Sequence, residues 1–575
     1  MVPSAPISLV ATMDRILECV PNFSEGRDPR IIQQISDAIA AMDGVELLDV
    51  DPGKATNRTV VTFAGAPEFV LDAAVMAGRM AKELIDMSKH SGEHPRFGGM
   101  DVCPLVPISG ITMEETAEYA RELGRRLGEE VGLSIYLYEH AASKPERHNL
   151  AVVRAGEYEA LPDRMKDPAW APDFGPTEFQ PRTGATAVGA RNFLIAYNVN
   201  LNTTSSRRAN AIAFDVREKG RIKREGDPLS GPVVKNADGQ TVWEPGALKA
   251  VKGIGWYIEE YGVCQVSMNL TDMEVTPLHL AFDETCRRSQ ARGVRVTGSE
   301  LVGLVPLQAM LDAGRYFLRK QERSTGVSES ELIKIAVRSM GLDELSPFVP
   351  EKKIIEYVLR KGDGTGRLAG MSIRGFTEET ASESPAPGGG SVAAAVGAFG
   401  AALGTMVANL SSHKRGWDAR WEEFSAVAER GKALSEELMR LVDADTAAFD
   451  GIIAAWRMPQ GNESERAAQK EALQAATRHA IEVPLRVMEI ALASMEVAAE
   501  MAANGLDASL SDAAVGALCA RTAVRGAGMN VRINAADLED KKQLAGYLAQ
   551  AAALEERAAE SEAAILSLVQ SKLKS

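Results

Sequence analysis

Cysteine, histidine and net positive charge are all scarce in this 575-residue chain. The five cysteines, Cys19, Cys103, Cys264, Cys286 and Cys519, stand far apart and form no Cys-x-x-Cys pair. That spacing excludes the usual zinc frameworks, argues against a disulfide scaffold and suits a reducing, cytoplasmic setting. Acidic residues outnumber basic ones, 79 to 64, for a net charge of -15. No nucleic-acid partner is expected, because phosphate backbones demand clustered Lys and Arg. Small anions stay open to local basic groups and helix N-termini. The first residues lack a basic n-region and their apolar run breaks at Asp14-Arg15, so no secretory leader is expected. Patterned sequence opens at Met13, and residues 1–12 read as an extension or a misplaced start.

Long uncharged runs are missing too, with one exception. Ser384–His413 carries no Asp, Glu, Lys or Arg. Its core, Ser391–Leu410, is long enough to cross a bilayer and contains the close-packing pair Gly400 and Gly404. It is built of Ala, Gly and Ser, however, and has no Trp or Tyr at its ends. The expected place for such a helix is the buried centre of a soluble bundle, with no membrane involved.

What is present is ordinary globular composition, 45% apolar and 25% charged, arranged in three blocks. Ile16–Phe23 reads as a strand, Arg30–Met42 as a helix, Val45–Asp51 and Thr59–Ala64 as strands, Glu68–Ile85 as a helix and Val102–Ile108 as a strand. That order, βαββαβ, predicts a ferredoxin-like α/β plait. A helix, Met113–Gly132, and a strand, Ser134–Tyr138, follow. The same order recurs with strand Phe193–Leu201, helix Arg207–Glu218, strands Gly253–Ile258 and Val263–Asn269, helix Leu278–Arg292 and strand Arg295–Val305. Arg221–Ala250, rich in Gly, Pro and charge, reads as a surface insertion. Ser328–Leu359 looks helical and closes this half, and the Gly-rich Arg360–Met371 reads as a linker. Beyond it only helical periodicity remains: Ser391–Leu410, Trp417–Ala454, Ser464–Asn504, Ser511–Ala535 and Leu538–Lys574. The expectation is therefore two plait subdomains, 13–192 and 193–359, a linker at 360–371, and an all-α bundle at 372–575.

Among seven histidines, His94 stands in a loop, between Glu93 and Pro95-Arg96, where a rigid sheet would present it for proton transfer. A plain surface histidine fits that composition as well, and His90 and His140 are equal competitors. Asp49 and Asp51 share one face of a strand end and suit either an amine ligand or a simple turn. The loop Gly175, Pro176, Thr177, Glu178, Phe179, Gln180, Pro181, Arg182, Thr183, Gly184 offers a ring to stack and a cation for a carboxylate. It reads equally as an inter-subdomain connection. In the second half, Gly388, Gly389, Gly390 and Ser391 open the apolar helix as an anion-binding or folate-contacting turn, or as a mere N-cap. Counting about 100° per residue places Asp445 on the stripe of Leu434, Leu438, Leu441, Val442 and Phe449, with Asp443 opposite. A carboxylate on an apolar stripe either is tied to a neighbouring helix or has its pKa raised into the working range of an acid-base catalyst.

Several strings resemble the formiminotransferase-cyclodeaminase family: Glu18-Cys-Val-Pro-Asn-Phe-Ser-Glu-Gly26, Leu47-Leu-Asp-Val-Asp51, Asn57-Arg-Thr59, Gly92-Glu-His-Pro-Arg96, Asp101-Val-Cys-Pro104, Trp170-Ala-Pro-Asp-Phe-Gly-Pro176, Ala386-Pro-Gly-Gly-Gly-Ser-Val-Ala393 and Leu441-Val-Asp-Ala-Asp445. The resemblance covers almost the whole chain. It implies transfer of a formimino group from formiminoglutamate to tetrahydrofolate, the co-substrate, followed by ring closure to methenyl-tetrahydrofolate with loss of ammonia. It implies that His94 is the transferase acid-base, that Gly175–Gly184 contacts folate, and that Asp445 serves ring closure, with Asp51, Glu93 and Arg96 read from their own positions as supporting candidates for His94. No metal or redox cofactor is expected for either step. A homo-oligomer through the helical domain is expected, since Ser391–Leu410 is too apolar to face water. A formyl-group donor on the same scaffold, or a folate-binding protein with one inactive half, are the alternatives.

Overall fold

The computed structural model describes residues 15–53, 57–91, 96–226, 231–259, 261–360 and 368–574. The chain divides into two compact units: residues up to 310 together with 340–363, and residues 311–339 together with 364 onward.

The first unit begins with β1 (Ile16–Cys19), β2 (Asn22–Phe23), α1 (Pro29–Ala40), β3 (Val45–Gly53), β4 (Arg58–Gly65), α2 (Pro67–Leu84), β5 (Met100–Ser109), α3 (Met113–Arg126) and β6 (Ser134–Glu139). The short helices α4 (Leu150–Val153) and α5 (Glu157–Arg164) and the strand β7 (Ala185–Ala190) follow. Among the described residues these strands form one sheet, in which β4 and β5 flank the β1–β2 line, β3 lies outside β4, and β7 then β6 extend the far edge. The β3, β4, β1 and β5 pairings are antiparallel, and β7 runs parallel to β5 and β6. The expected strand over 16–23 is interrupted at Val20-Pro21, where Pro21 has no N–H for the ladder and its carbonyl instead accepts from Val61 N at 3.0 Å.

Strand β7 is an addition to the expected order. Its six residues, Ala-Thr-Ala-Val-Gly-Ala, are all buried, and a parallel strand covered on both faces shows no polar alternation. Helices α1 to α3 cover one face of the sheet over Leu17, Cys19, Phe63, Cys103 and Leu105. On the other face, α4 and α5 cover only the β5–β7–β6 side, through Val102, Tyr136, Tyr138, Val153 and Leu161. The rest of that face stays open.

The second sheet holds β8 (Ile195–Leu201), β11 (Val251–Ile258), β12 (Val263–Leu270) and β13 (Val296–Val302), in the order β11-β12-β8-β13 and antiparallel throughout. Helices α6 (Ser206–Val216) and α7 (Leu278–Ala291) pack on one of its faces. The insertion forms a small hairpin of β9 (Arg221–Ile222) and β10 (Trp243–Glu244).

Residues 311–339 carry the end of α8 (Leu307–Lys320) and most of α9 (Glu329–Met340). The sequence groups them with the first half, yet they pack within the helical unit. Ser324 Oγ donates to Asn409 Oδ1 at 2.7 Å, Thr325 N to Ser425 Oγ at 3.0 Å, and Asn409 Nδ2 to the Gly326 carbonyl at 2.8 Å. Gly326 lies so close to the backbone of Ala428 that a Cβ has no room there. The short helices α10 (Pro350–Lys353) and α11 (Ile355–Arg360) return the chain to the first unit.

After α12 (Ile373–Thr380), the helical unit is built of α13 (Gly389–Ser412), α14 (Trp421–Trp456), α15 (Glu463–Asn504), α16 (Leu510–Ala535) and α17 (Lys541–Leu573). Helix α13 is long and apolar enough to cross a membrane by length and composition, and 61% of its most apolar stretch is buried in this unit. Glycines let its neighbours come close: Gly400 faces the backbone of Gly516 and Ala520, and Gly404 faces Val497. Of the expected linker, 361–367 lie outside the described residues, while Leu368 is already core of the helical unit.

Candidate active sites

The open face of the first sheet and the face of the second opposite α6 and α7 border a cleft of about 1970 Å³. Glu18, Asn22, Asp49, Asp51 and Arg58 line it from the first sheet, and Ala196, Lys252, Asn269 and Val302 from the second. Asp49 and Asp51 thus do share the cleft face, as strand alternation requires.

His94 and Glu93 fall on 92–95, outside the described residues, but both flanks of that loop are fixed. Asn57, at a left-handed φ of 51°, donates from Nδ2 to the Ser91 carbonyl at 3.0 Å and accepts from Gly26 N at 3.0 Å. Its own carbonyl meets His90 Nε2 at 2.9 Å. Burial lowers the His90 pKa, against the opposing pull of that carbonyl. On the other flank, Phe97 N donates to Asp101 Oδ1 at 2.7 Å. Arg96 pairs with Glu159 and lies 4.0 Å from Glu157. His140 lines the cleft from the end of β6.

Asp101 is the residue that sequence reasoning passed over as a site. It sits where the pairing register of β2 with β5 shifts, Asn22 opposing Val102 and Phe23 opposing Met100. The bulge turns Asp101 out of the ordinary alternation, so its carboxylate reaches Arg154 Nη2 at 3.1 Å while remaining 1% exposed. Burial pushes its pKa up to about 6, against the pull of Arg154 and Arg58. A bulge depends on the partner strand, and nothing local in Asp101-Val-Cys-Pro marks it. Glu18 is also buried on the cleft floor, its pKa pushed up to about 7 by burial and only partly countered by Arg191.

Among the described residues that line this cleft, none comes from Gly175–Gly184. That loop is instead sewn to the segment following His94. Gly99 N donates to the Thr183 carbonyl at 2.8 Å and Met87 N to the Arg182 carbonyl at 2.9 Å. Arg182 reaches the Glu83 carbonyl at 2.6 Å, and Gly184 bridges Gly98. Phe179 packs on Tyr158 with ring centroids 5.5 Å apart, and the Tyr158 hydroxyl donates to the Pro181 carbonyl at 2.6 Å. Ser134 Oγ closes the start of the loop on the Pro176 carbonyl at 2.7 Å.

In the helical unit the stripe count holds for Asp445 and fails at its end. Leu438, Leu441 and Val442 are buried, but Phe449 is 44% exposed, and its neighbour Ala448 takes the core position instead. Asp445 meets the start of α13. Ser391 Oγ donates to Asp445 Oδ2 at 3.0 Å, and a Cβ added to Gly390 would collide with the carboxylate. Ser391, which closes the turn of Gly388, Gly389 and Gly390, thus directs its hydroxyl and its backbone at a protein carboxylate. Burial raises the Asp445 pKa, opposed by the side chain and backbone of Ser391. Asp443 points away from the stripe but is not idle: it accepts from Leu368 N at 2.9 Å and Ala369 N at 3.3 Å, anchoring the chain where it enters the unit.

These two constellations lie in regions matched by models of the formiminotransferase domain, N-terminal subdomain, at 16–191, the formiminotransferase domain at 196–360, and formiminotransferase-cyclodeaminase at 372–553. A formimidoyltransferase-cyclodeaminase of Mus musculus is 45% identical over 528 residues, 92% of this chain and 94% of that protein. A glutamate formimidoyltransferase of Thermoplasma acidophilum is 41% identical over 306 residues, 53% of this chain and 92% of that protein. A methenyltetrahydrofolate cyclohydrolase of Methylorubrum extorquens is 35% identical over 193 residues, 32% of this chain and 93% of that protein. With a relative this similar matched over nearly its whole length, the chain belongs to the formimidoyltransferase-cyclodeaminase family.

Proposed function

We propose that the chain transfers the formimino group of N-formimino-L-glutamate to tetrahydrofolate and then closes the 5-formimino product to 5,10-methenyl-tetrahydrofolate, releasing ammonia. The observation that carries this is the joint likeness of one chain to both kinds of activity, over 94% of a bifunctional relative. In the first step folate N5 attacks the formimino carbon, and one proton leaves N5 while another reaches the glutamate nitrogen. A histidine near neutrality performs both transfers in turn, and His94 is assigned that role, with Asp51, Glu93 and Arg96 in support. Gly175–Gly184 is assigned to folate; its attachment to 97–99, next to the His94 loop, supports this. In the second step N10 attacks the same carbon and ammonia leaves. Asp445, raised by burial yet hydrogen-bonded to Ser391, exchanges the protons. Neither step requires a metal or redox centre.

The sheet orders β3-β4-β1-β5 and β11-β12-β8-β13, antiparallel with helices on one face, support ferredoxin-like plaits in 13–192 and 193–359, the segment 311–339 packing with the all-α bundle at 372–575 that follows a linker at 360–371. Exposed Phe399, Met406, Met529 and Ile533 support self-association of the helical domain. A cytoplasmic location, without a membrane or nucleic-acid partner, completes the proposal.

Purified protein mixed with formiminoglutamate and tetrahydrofolate should yield methenyl-folate absorbance and one ammonia per turnover. A formyl donor or a cyclohydrolase would release none. His94→Ala should lose about 10²–10⁴-fold of transfer and still close supplied 5-formimino-tetrahydrofolate. Asp445→Asn should do the reverse. Loss of both half-reactions in either variant would sink the two-site assignment.

A further inference from the structure

The cleft holds an arginine that the chemistry above leaves unused. Arg58 opens β4, directly after Asn57, whose side chain and carbonyl hold Ser91 and His90 at the entrance to the 92–95 loop. Its guanidinium donates to Asn22 Oδ1, while its Nε–H is buried with no hydrogen-bond partner among the described residues. Asn22 thus leaves the guanidinium incompletely paired, and the side chain lines the cleft, where its outer nitrogens can meet a ligand's acceptor. Across the strand pair, Gly53 opposes Arg58 and Asp51 opposes Val60. Asp51 and Arg58 are thus diagonal neighbours on the cleft face, about 7–8 Å apart at the backbone, and no ion pair joins them among the described residues. Asp101 is the strongest opposite charge acting on Arg58, ahead of Asp51, but it lies beside Arg154 at 3.1 Å and accepts from Phe97 N, and no hydrogen bond joins it to Arg58 among the described residues.

We infer that Arg58 binds a carboxylate of the donor's glutamate, with Asp51 facing the formamidinium, so that a slot of opposite charges reads formiminoglutamate from both ends. This rests on the transferase reading above. A protonated formamidine is a cation, and in the donor it stands one carbon from the α-carboxylate. That compact dipole matches two opposite charges on adjacent strands. The folate tail also carries carboxylates, but its whole aminobenzoyl spacer separates them from N5. A carboxylate site beside the transfer loop therefore belongs to the donor. Guanidinium suits this task through its planar, paired donors.

The test uses the full-length enzyme with Arg58→Gln and Arg58→Lys, after wild type has been shown to make 5-formimino-tetrahydrofolate. Absence of that activity in wild type would refute the function itself and leave Arg58 out of account. With Arg58→Gln, KM for formiminoglutamate and the inhibition constant of L-glutamate, measured as product, should each rise roughly 10- to 100-fold. KM for tetrahydrofolate should move less than about twofold, and Arg58→Lys should recover part of the loss. Ring closure of supplied 5-formimino-tetrahydrofolate, tested in the same sample, should be intact and so report a folded chain. A rise in KM for tetrahydrofolate instead would assign Arg58 to the folate tail and overturn the inference. So would a fall in kcat with KM for the donor and glutamate inhibition both unmoved, the mark of a purely structural arginine.

Discussion

Glu18 is a carboxyl group held where water scarcely reaches it, 4% exposed, with its pKa pushed up to about 7 by burial. Its ordinary value, and its value unfolded, is near 4.5. The folded state therefore binds the proton more tightly than the unfolded one. Its stabilising share is complete below pH 4.5 and is lost as pH rises through 7. Glu18→Gln should accordingly stabilise the first unit at pH 8, by about 1–3 kcal/mol, with the gain shrinking toward pH 4.5. Midpoints of thermal loss of transferase structure at the two pH values check this; a gain that is larger at pH 4.5 refutes it. The groups facing Glu18 include Arg191 and Cys19, and the Cys19 thiol is itself pushed up by burial, by Cys103 beside it and by Glu18. Retaining such a destabilising carboxyl on a cleft floor is what a functional surface permits and a mere core would not.

At the scale of elements, helix starts and strand registers decide the chemistry. The second residue of helix α13 is a glycine, Gly390, and Asp445 occupies the space that a side chain there would need. Gly390→Ala should leave the helix formed, alanine being the better helix former, while displacing the carboxylate. Ring closure should fall by about 10²-fold or more with formimino transfer unchanged. Unaltered ring closure in that variant would show that Asp445 need not stand where the glycine admits it. The position of Asp445 was legible from periodicity alone, since an apolar stripe at 100° per residue needs only local sequence. So were the main strands and helices of both sheets. Strand β7 was not, because Ala-Thr-Ala-Val-Gly-Ala lacks the alternation of a half-exposed strand and takes its form from two parallel neighbours. Asp101 and Arg154 were illegible for a related reason. One is turned by a bulge that exists only against β2, and the other is brought from 53 positions away by tertiary packing. Asp443 was read correctly for direction, but its partners, Leu368 and Ala369, lie 75 and 74 residues back.

For the molecule as a whole, the change of character near residue 360 is one of three places where the chain passes between the two compact units. The chain leaves the first unit at 310, returns at 340 and leaves again at 363. Segment 311–339 is bound within the helical unit by Ser324, Thr325 and Gly326, which meet Asn409, Ser425 and Ala428. Cleavage within 361–367 should therefore yield two fragments that co-elute on size exclusion under native conditions and separate only in denaturant. Free elution of the fragments at micromolar concentration would count against that packing. The two units are thus joined as a laced seam joins cloth, by a thread that crosses three times. A protease that nicks the obvious linker breaks a covalent bond without dividing the enzyme, and a gene split at the same place would produce halves that must find one another again.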